Sequence, residues 1–455
     1  MFSFEKNKKI KYINYLICFI PLACILGNPI ININVILICV LGIVLFKGKI
    51  ANFFRYHTLI TIFFIFIILS TGFNTFFYSP DFKFKELASY ESFLKSIFLL
   101  RYLLFIVILN ELIKNKNFNI ENFFKITSII ILLFASDIIL QYFYGANIFG
   151  MIRPTRYHHS GMFGNELVAG GYLLKFCIFA ILFHYIIQKN NYKKLKSIFI
   201  LFIFFSSIFF SGNKMPVILY FFSLSLIFLT IKELRFNILV ALFISCIIFI
   251  ISYQTKKETN MIYYSLYHKV TKTLIFTKSK IFDSENSGIV LEKLFPEAVE
   301  HERKGEILTP GEARLEYYTL FNTAIQVWKE KKIIGSGLKG FRNKCYKYDS
   351  FNKEEYKCSN HPHNYYFEVL AEFGLIGLIL LLLIYIKFFF QYIKYINNSK
   401  KNIDDLLKIA SLTVLLTLLF PLKTSGSLFT TSESIIIFFL IGLITNGRNL
   451  KIKFS

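Results

Sequence analysis

Apolar runs of membrane-crossing length recur along this chain, and they constrain its fold more than any other feature. Twelve stand out, near residues 10–26, 30–46, 56–72, 94–113, 126–144, 167–188, 195–211, 214–231, 235–252, 366–392, 404–421 and 432–446. Each approaches the length a helix needs to cross a hydrocarbon core of about 30 Å. In lipid every backbone polar group needs an internal partner, so such runs form helices or a closed barrel. The runs lack the alternation of barrel strands. The sequence therefore predicts an all-α, polytopic membrane helical bundle of about twelve transmembrane helices. The first run has a basic start but leads straight to a second span without a small-residue cleavage site, so no cleavable signal peptide is expected.

The net charge of +24 reads better by position than by total. With the amino terminus inside, the inner segments carry Lys6, Lys8, Lys9 and Lys11, then Lys47, Lys49 and Arg55, then Lys114, Lys116 and Lys125. Later inner segments add Lys189, Lys193, Lys194, Lys196, Lys232, Arg235, Lys387, Lys394, Lys400, Lys401 and Lys408, and the end carries Arg448, Lys451 and Lys453. The short outer loops hold only Lys83, Lys85, Lys95, Arg153, Arg156, Lys214 and Lys423. By the positive-inside rule both termini are expected in the cytoplasm. Nucleic acid is not needed as a partner to explain the basicity. An outer cation runs against the trend and so becomes a candidate for function.

This topology divides the chain into a bundle of nine spans over 1–252, one large extracytoplasmic loop over 253–364, and three spans over 365–455. A connection that long usually carries function or structure of its own. Within it, TPGEARLEYYTLFNTAIQVWKEKK predicts an amphipathic helix near 310–332, with Thr309 as N-cap, Pro310 at the first helical position and Glu312 completing a capping box. Leu315, Tyr318, Phe321, Ile325 and Trp328 recur at helical spacing and form its apolar face. Gly335, Gly337 and Gly340 then supply a turn. Cys345 and Cys358 fall in the same loop, on the oxidising side, where a disulfide between them is expected. A zinc site combining them with His361 and His363 fits no common ligand spacing.

Several residues admit a plain and a functional reading. His361 and His363 stand where a polar stretch runs into the tenth span, as interfacial caps or as a base. Arg314 pairs with Glu316 or lipid headgroups, or binds an anion. Arg153, Arg156, His158 and His159 are headgroup anchors or ligand contacts. Lys214, in a tight turn between two apolar runs, is harder to assign to the membrane surface alone. Arg101 and Asp137 fall inside predicted spans, where an ionisable group is a functional candidate unless the two form a buried pair.

In order along the chain, SGMFGNELVAGGYL, SGNK, RLEYYTLFNTAIQVWKEKKIIGSGLKGF, HPHNYYFEVLAEFGLIG and FPLKTSGSLF together resemble the O-antigen ligase and polymerase superfamily of bacterial inner-membrane glycosyltransferases. The resemblance is strongest from Arg314 to Gly377, and span count and loop placement extend it over most of the chain. His363, separated from Gly374 by ten residues, reproduces the family's His-to-Gly spacing; His361 does not. Two positions depart from the pattern: the arginines here are Arg153 and Arg156 rather than one near His158, and Lys214 stands where arginine is common.

The resemblance implies transfer of a glycan from undecaprenyl diphosphate to an acceptor hydroxyl, such as one on lipid A core, at the periplasmic face of the inner membrane. It implies inversion at the sugar carbon and neither metal nor cofactor. On this reading His363 is the base and Arg314 the catalytic cation, while Arg156, Lys214 and Arg153 bind the donor diphosphate. His361 and Asn364 stand behind them. Arginine's planar fork suits phosphate oxygens. Within the superfamily the loop motifs favour a ligase over a polymerase that extends carrier-linked repeats. A lipid-linked oligosaccharide flippase would show internal repeats and midplane polar residues, and this chain concentrates its polar residues in one loop and its mouth.

Overall fold

The computed structural model describes residues 2–46, 57–77, 83–155, 157–184, 193–255, 310–350, 356–396 and 402–444. Among them the secondary structure is helical apart from two isolated bridges, Ala146 with Ile152 and Thr155 with His158. The helices are α1 (Phe2–Cys18), α2 (Ile20–Leu26), α3 (Asn28–Phe46), α4 (Thr58–Phe77), α5 (Lys83–Phe98), α6 (Leu100–Lys114), α7 (Ile120–Tyr144), α8 (Ala169–Leu182) and α9 (Lys193–Phe210). They continue as α10 (Lys214–Thr230), α11 (Arg235–Thr255), α12 (Pro310–Glu330), α13 (Gly340–Asp349), α14 (Tyr365–Ile396), α15 (Ile403–Leu418) and α16 (Thr431–Ile444).

Each of the twelve apolar runs contains helix among the described residues, and the protein is a polytopic helical membrane bundle. The count of twelve crossings is not confirmed by the helices judged one by one. Among the described residues six are long and apolar enough to span: Asn28–Phe46, Thr58–Phe77, Ser89–Lys114, Ile120–Tyr144, Lys232–Thr255 and Tyr365–Ile396. A seventh forms if the pair bent by 50° at Phe19 acts as one. The helices Ala169–Leu182, Lys214–Thr230 and Thr431–Ile444 are apolar but shorter.

At the centre of the bundle lie α6 and α16. From Ser434 to Ile444 every residue of α16 is buried, as are nearly all residues from Tyr102 to Ile113 of α6. A helix apolar on all sides belongs in an interior. Aromatic contacts join the two: Tyr102 stacks on Phe438 with ring centroids 5.5 Å apart, and Phe105 on Phe439 at 6.2 Å. Such pairs contribute roughly 0.5–1.5 kcal/mol beyond area burial. Gly442 lets Leu109 and Ile106 come close, the small-residue packing that lipid favours because it offers no hydrophobic drive between helices.

Of the large loop, residues 256–309 lie outside the described residues, including the predicted cap Thr309. Helices α12 and α13 form a second, smaller core with the start of α14, made of Leu320, Ala324, Val327, Phe341, Cys345 and Ala371. The face of α12 that is deepest therefore differs from the predicted stripe: Phe321, Ile325 and Trp328 are only half-buried. Small side chains at Thr323 and Ala324 allow close approach, and the larger stripe flanks it. Phe321 still stacks on Phe367 of α14, centroids 4.6 Å apart. Cys345 and Cys358 are joined in a disulfide, Cα atoms 4.9 Å apart, which ties α13 to the segment leading into His361.

This layer docks onto a break in α14. Gly374 has φ 63° and ψ −160° inside an otherwise helical stretch, and Gly335, after α12, has φ 70°. The two backbones meet directly. A Cβ at Gly374 would lie 2.3 Å from the Ile333 carbonyl oxygen, and one at Gly335 would lie 2.4 Å from the Glu372 carbonyl. Cross-connections replace the helical hydrogen bonds lost at the break: the Ser336 and Gly337 amides donate to the Ala371 and Glu372 carbonyls at 3.2 and 2.7 Å. In return the Leu375 and Ile376 amides donate to Lys332 and Ile333 at 2.9 and 3.2 Å. The end of α4 closes the joint, with the Ser70 hydroxyl donating to the Ile334 carbonyl at 2.6 Å and Thr71 Oγ1 accepting from the Leu338 amide at 3.0 Å.

Replacing Gly374 or Gly335 by Ala adds both a steric overlap and a left-handed residue, the latter alone about 1–2 kcal/mol. Each variant should melt below wild type in detergent, whereas Ala at half-buried Gly145, where a Cβ meets no neighbour within 4 Å, should carry the conformational cost without the overlap. Equal losses at the three sites would refute the docking argument.

Candidate active site

The segment from His361 to Glu368 is fixed by hydrogen bonds at nearly every polar position. Asn364 Oδ1 accepts from the Tyr366 and Phe367 amides at 2.9 and 3.2 Å and so caps α14. Its side-chain nitrogen donates to the carbonyls of Pro421 and Lys423 at 2.8 and 3.1 Å. The Tyr366 hydroxyl donates to the Leu419 carbonyl at 2.6 Å. Glu368 accepts from the Ser427 hydroxyl and from the Leu428 amide. The late loop between α15 and α16 is thus latched onto the head of α14.

His363 stands just before this cap with φ 58°, a conformation that is costly for a residue with a Cβ and is often found at functional sites. His361 and His363 are both half-buried, their ring centroids 4.3 Å apart. Burial, then the neighbouring His363, pushes the His361 pKa down to about 4, against a weaker upward pull from Glu433. His361 is therefore neutral near pH 7.

A cleft of about 420 Å³ opens close by. Its lining includes the break between α2 and α3 at Gly27 and Asn28, Met162 to Val168 ahead of α8, Lys175 on α8, and Ser425, Gly426, Ser432 and Glu433. Asn213 and Pro216, which flank Lys214, also line it. Glu433 is the electrostatic centre: it accepts from Lys175 Nζ at 2.6 Å and from the Tyr365 hydroxyl at 2.6 Å, and lies 3.5 Å from Lys423 Nζ.

The basic turn is stitched to the loop after α7. The His159 amide donates to the Ser211 carbonyl at 3.2 Å. Asn213 donates to the Leu167 carbonyl and accepts from the Gly170 amide, both at 3.1 Å. Burial, then the charge of Lys214, lowers the pKa of His158, so the structure brings Lys214 and His158 together. Arg153 is half-buried in the same loop, its amide donating to the Gly145 carbonyl at 3.3 Å. Arg156 and the side chain of Arg314 lie outside the described residues; the backbone at Arg314 is helical, near the start of α12.

Arg101 and Asp137 do not pair. Arg101 donates to the Phe98 carbonyl, Asn32 and Tyr102 at 2.7, 3.2 and 3.0 Å, while Asp137 accepts from the Ile148 amide at 2.9 Å and from Asn147 at 3.4 Å. Each serves local structure in a different part of the bundle. The residues that the sequence reading passed over are Lys175, Glu433, Glu368 and Glu372, all buried or nearly so. The signal was available, since each is an ionisable residue inside a predicted span. Among the described residues no three His, Cys, Asp or Glu side chains are grouped to hold a metal ion, and the two cysteines once considered as ligands are bonded to each other.

A helical bundle that latches a histidine pair beside a cleft lined by a lysine–glutamate pair is a multi-pass membrane protein with an enzyme-like polar site. Residues 198–382, about two fifths of the chain, match the model of the O-Antigen ligase family, which supports the O-antigen ligase superfamily. The match contains Lys214, Arg314, His361, His363 and Gly374, and ends before Lys423 and Glu433. The superfamily covers ligases and polymerases and implies glycosyltransferase-like chemistry on a lipid-linked glycan and a glycan acceptor. No curated protein matches the chain.

The depressed pKa of His361 makes a prediction for stability. Between about pH 6.5 and 4 the unfolded chain binds a proton there that the folded chain does not, so this contribution is full above 6.5 and is lost as pH falls towards 4. His361→Gln should flatten the fall in melting temperature over that window, measured in buffered detergent. An unchanged pH profile would show that His361 is not held neutral by the fold.

Proposed function

We propose that this chain is an O-antigen ligase: it moves a glycan from undecaprenyl diphosphate to a hydroxyl of lipid A core, at the periplasmic face of the bacterial inner membrane. The observation that carries the reading is the His361–His363 pair, latched at the head of α14 within the family-matched segment and next to a cleft that Lys175 lines. With both termini cytoplasmic, residues 253–364 form the periplasmic loop.

In the reaction His363 accepts the proton of the acceptor hydroxyl as its oxygen attacks the anomeric carbon. The bond from that carbon to the diphosphate oxygen breaks, and the sugar is inverted. The leaving diphosphate takes the bonding pair, and its charge is stabilised by Arg314, Arg153, Arg156 and Lys214. Neutral His361 packs against His363 without adding a second charge, and Asn364 fixes where the segment leaves the helix. The diphosphate is a stable anion, so the chemistry calls for fixed cations and a base rather than a metal. The lipid-linked glycan donor, the lipid A core acceptor and surrounding membrane lipids are the partners.

His363→Ala and Arg314→Ala, expressed in a strain lacking the gene, should leave polymer on the carrier and none on lipid A core. The loss of rate should be about 10²-fold or more for the histidine. Cores bearing a single repeat would identify a polymerase instead, and a wild-type lipopolysaccharide ladder would remove both residues from the mechanism. Purified protein with synthetic donor should keep its activity in EDTA; loss on chelation, restored by a divalent cation, would overturn the metal-free mechanism.

A further inference from the structure

Lys175 is a cation that none of the family-like segments singles out, and it lies outside the family-matched residues. It sits within α8, its Nζ 2.6 Å from Glu433 Oε1 in the first turn of α16. Behind it, Lys423 Nζ lies 3.5 Å from Glu433 Oε2 and donates to the Tyr365 hydroxyl at 2.6 Å. Tyr365 in turn donates to Glu433. One carboxylate thus faces two ammonium groups, and the side chains of Lys175, Glu433 and Lys423 are 12%, 15% and 8% exposed. The nearby Glu368 is already occupied by Ser427 and Leu428.

Two lysines share Glu433, and Glu368 stands beside Lys423 as a second carboxylate, so Lys175 is the member of the cluster that Glu433 alone holds. Lys175 and Glu433 line the cleft, whereas Lys423 is absent from its lining. Lys175 is therefore the cation a ligand meets, and Lys423 the one that keeps Glu433 paired if Lys175 turns away. Asn213, Ser425 and Ser432 place neutral polar groups around the same space, and Glu166, the other carboxylate in the lining, is exposed. A volume of about 420 Å³ exceeds what a lone carboxylate fills and suits a head with several oxygens.

We propose that Lys175 is a diphosphate-binding residue: when a diphosphate-bearing ligand enters the cleft, the ammonium exchanges Glu433 for phosphate oxygens while Lys423 and Tyr365 hold Glu433 in place. The inference rests on the reading of the substrate as a lipid-linked diphosphate and adds a residue to its binding site. It makes Glu433 a positioning residue that keeps Lys175 aimed into the cleft when no ligand is bound.

The test uses the full chain in lipid nanodiscs, with undecaprenyl diphosphate and inorganic diphosphate as separate probes and phosphatidylglycerol as the control for anionic headgroups. In the wild type, either diphosphate should protect the Lys175 amine from acylation, read by peptide mass spectrometry, and phosphatidylglycerol should not. Lys175→Ala should weaken undecaprenyl diphosphate binding roughly ten- to hundredfold, the loss of a charged hydrogen bond. It should raise the donor KM by a similar factor with little change in kcat, and Lys175→Arg should recover most of the affinity. Absence of protection in the wild type overturns the proposal even if the alanine variant fails to fold. So does unchanged affinity in a folded variant, and equal protection by phosphatidylglycerol reduces the site to a headgroup anchor. A wild type that binds the diphosphate through Lys175 yet transfers nothing to lipid A core leaves this inference standing and removes the ligase reading.

Discussion

The backbone-to-backbone docking of Gly335 against Gly374 is the contact on which the rest of the site depends. Because the helix of α14 is interrupted there, two carbonyls and two amides are freed, and the turn after α12 takes them up. Water cannot satisfy such groups near a membrane, so the break is tolerable only with the turn in place. One joint thereby fixes the layer that carries Arg314 and the short helical head that begins at the histidine pair. The disulfide and the Phe321–Phe367 stack secure that layer from the other side.

Around the joint, the segment HPHNYYFE reads as a row of assignments rather than a motif. Asn364 caps, Tyr366 and Glu368 latch the late loop, and Tyr365 reaches Glu433. The late loop thereby brings Lys423 and the head of α16 to the same place as α8. Polar side chains in a bilayer survive where they face one another, and here they converge on one cleft instead of scattering across the bundle.

Much of this was legible in the sequence because it rests on local physics. Apolar runs gave the helices, and the helix start at Pro310 and the turn at Gly335 follow from residue type. Two things depended on packing and were not legible. The deep face of α12 is set by what Thr323 and Ala324 allow, not by the largest apolar residues. The pairing of charged residues inside spans needs the third dimension: Arg101 and Asp137 drew attention and found separate partners, while Lys175 and Glu433, hundreds of residues apart in the chain, found each other.

The enclosure of α16 has a consequence for how the bilayer acts on this protein. From Ser434 onward the helix has no lipid-facing side, so changes in acyl-chain length or order press on the outer helices and reach it only through protein. Glu433, at its head, is anchored to the element best insulated from the membrane. The charged floor of the cleft is in that sense a fixed reference, and adaptation to differing lipids falls to the exposed faces of outer helices such as α3, α4 and α11.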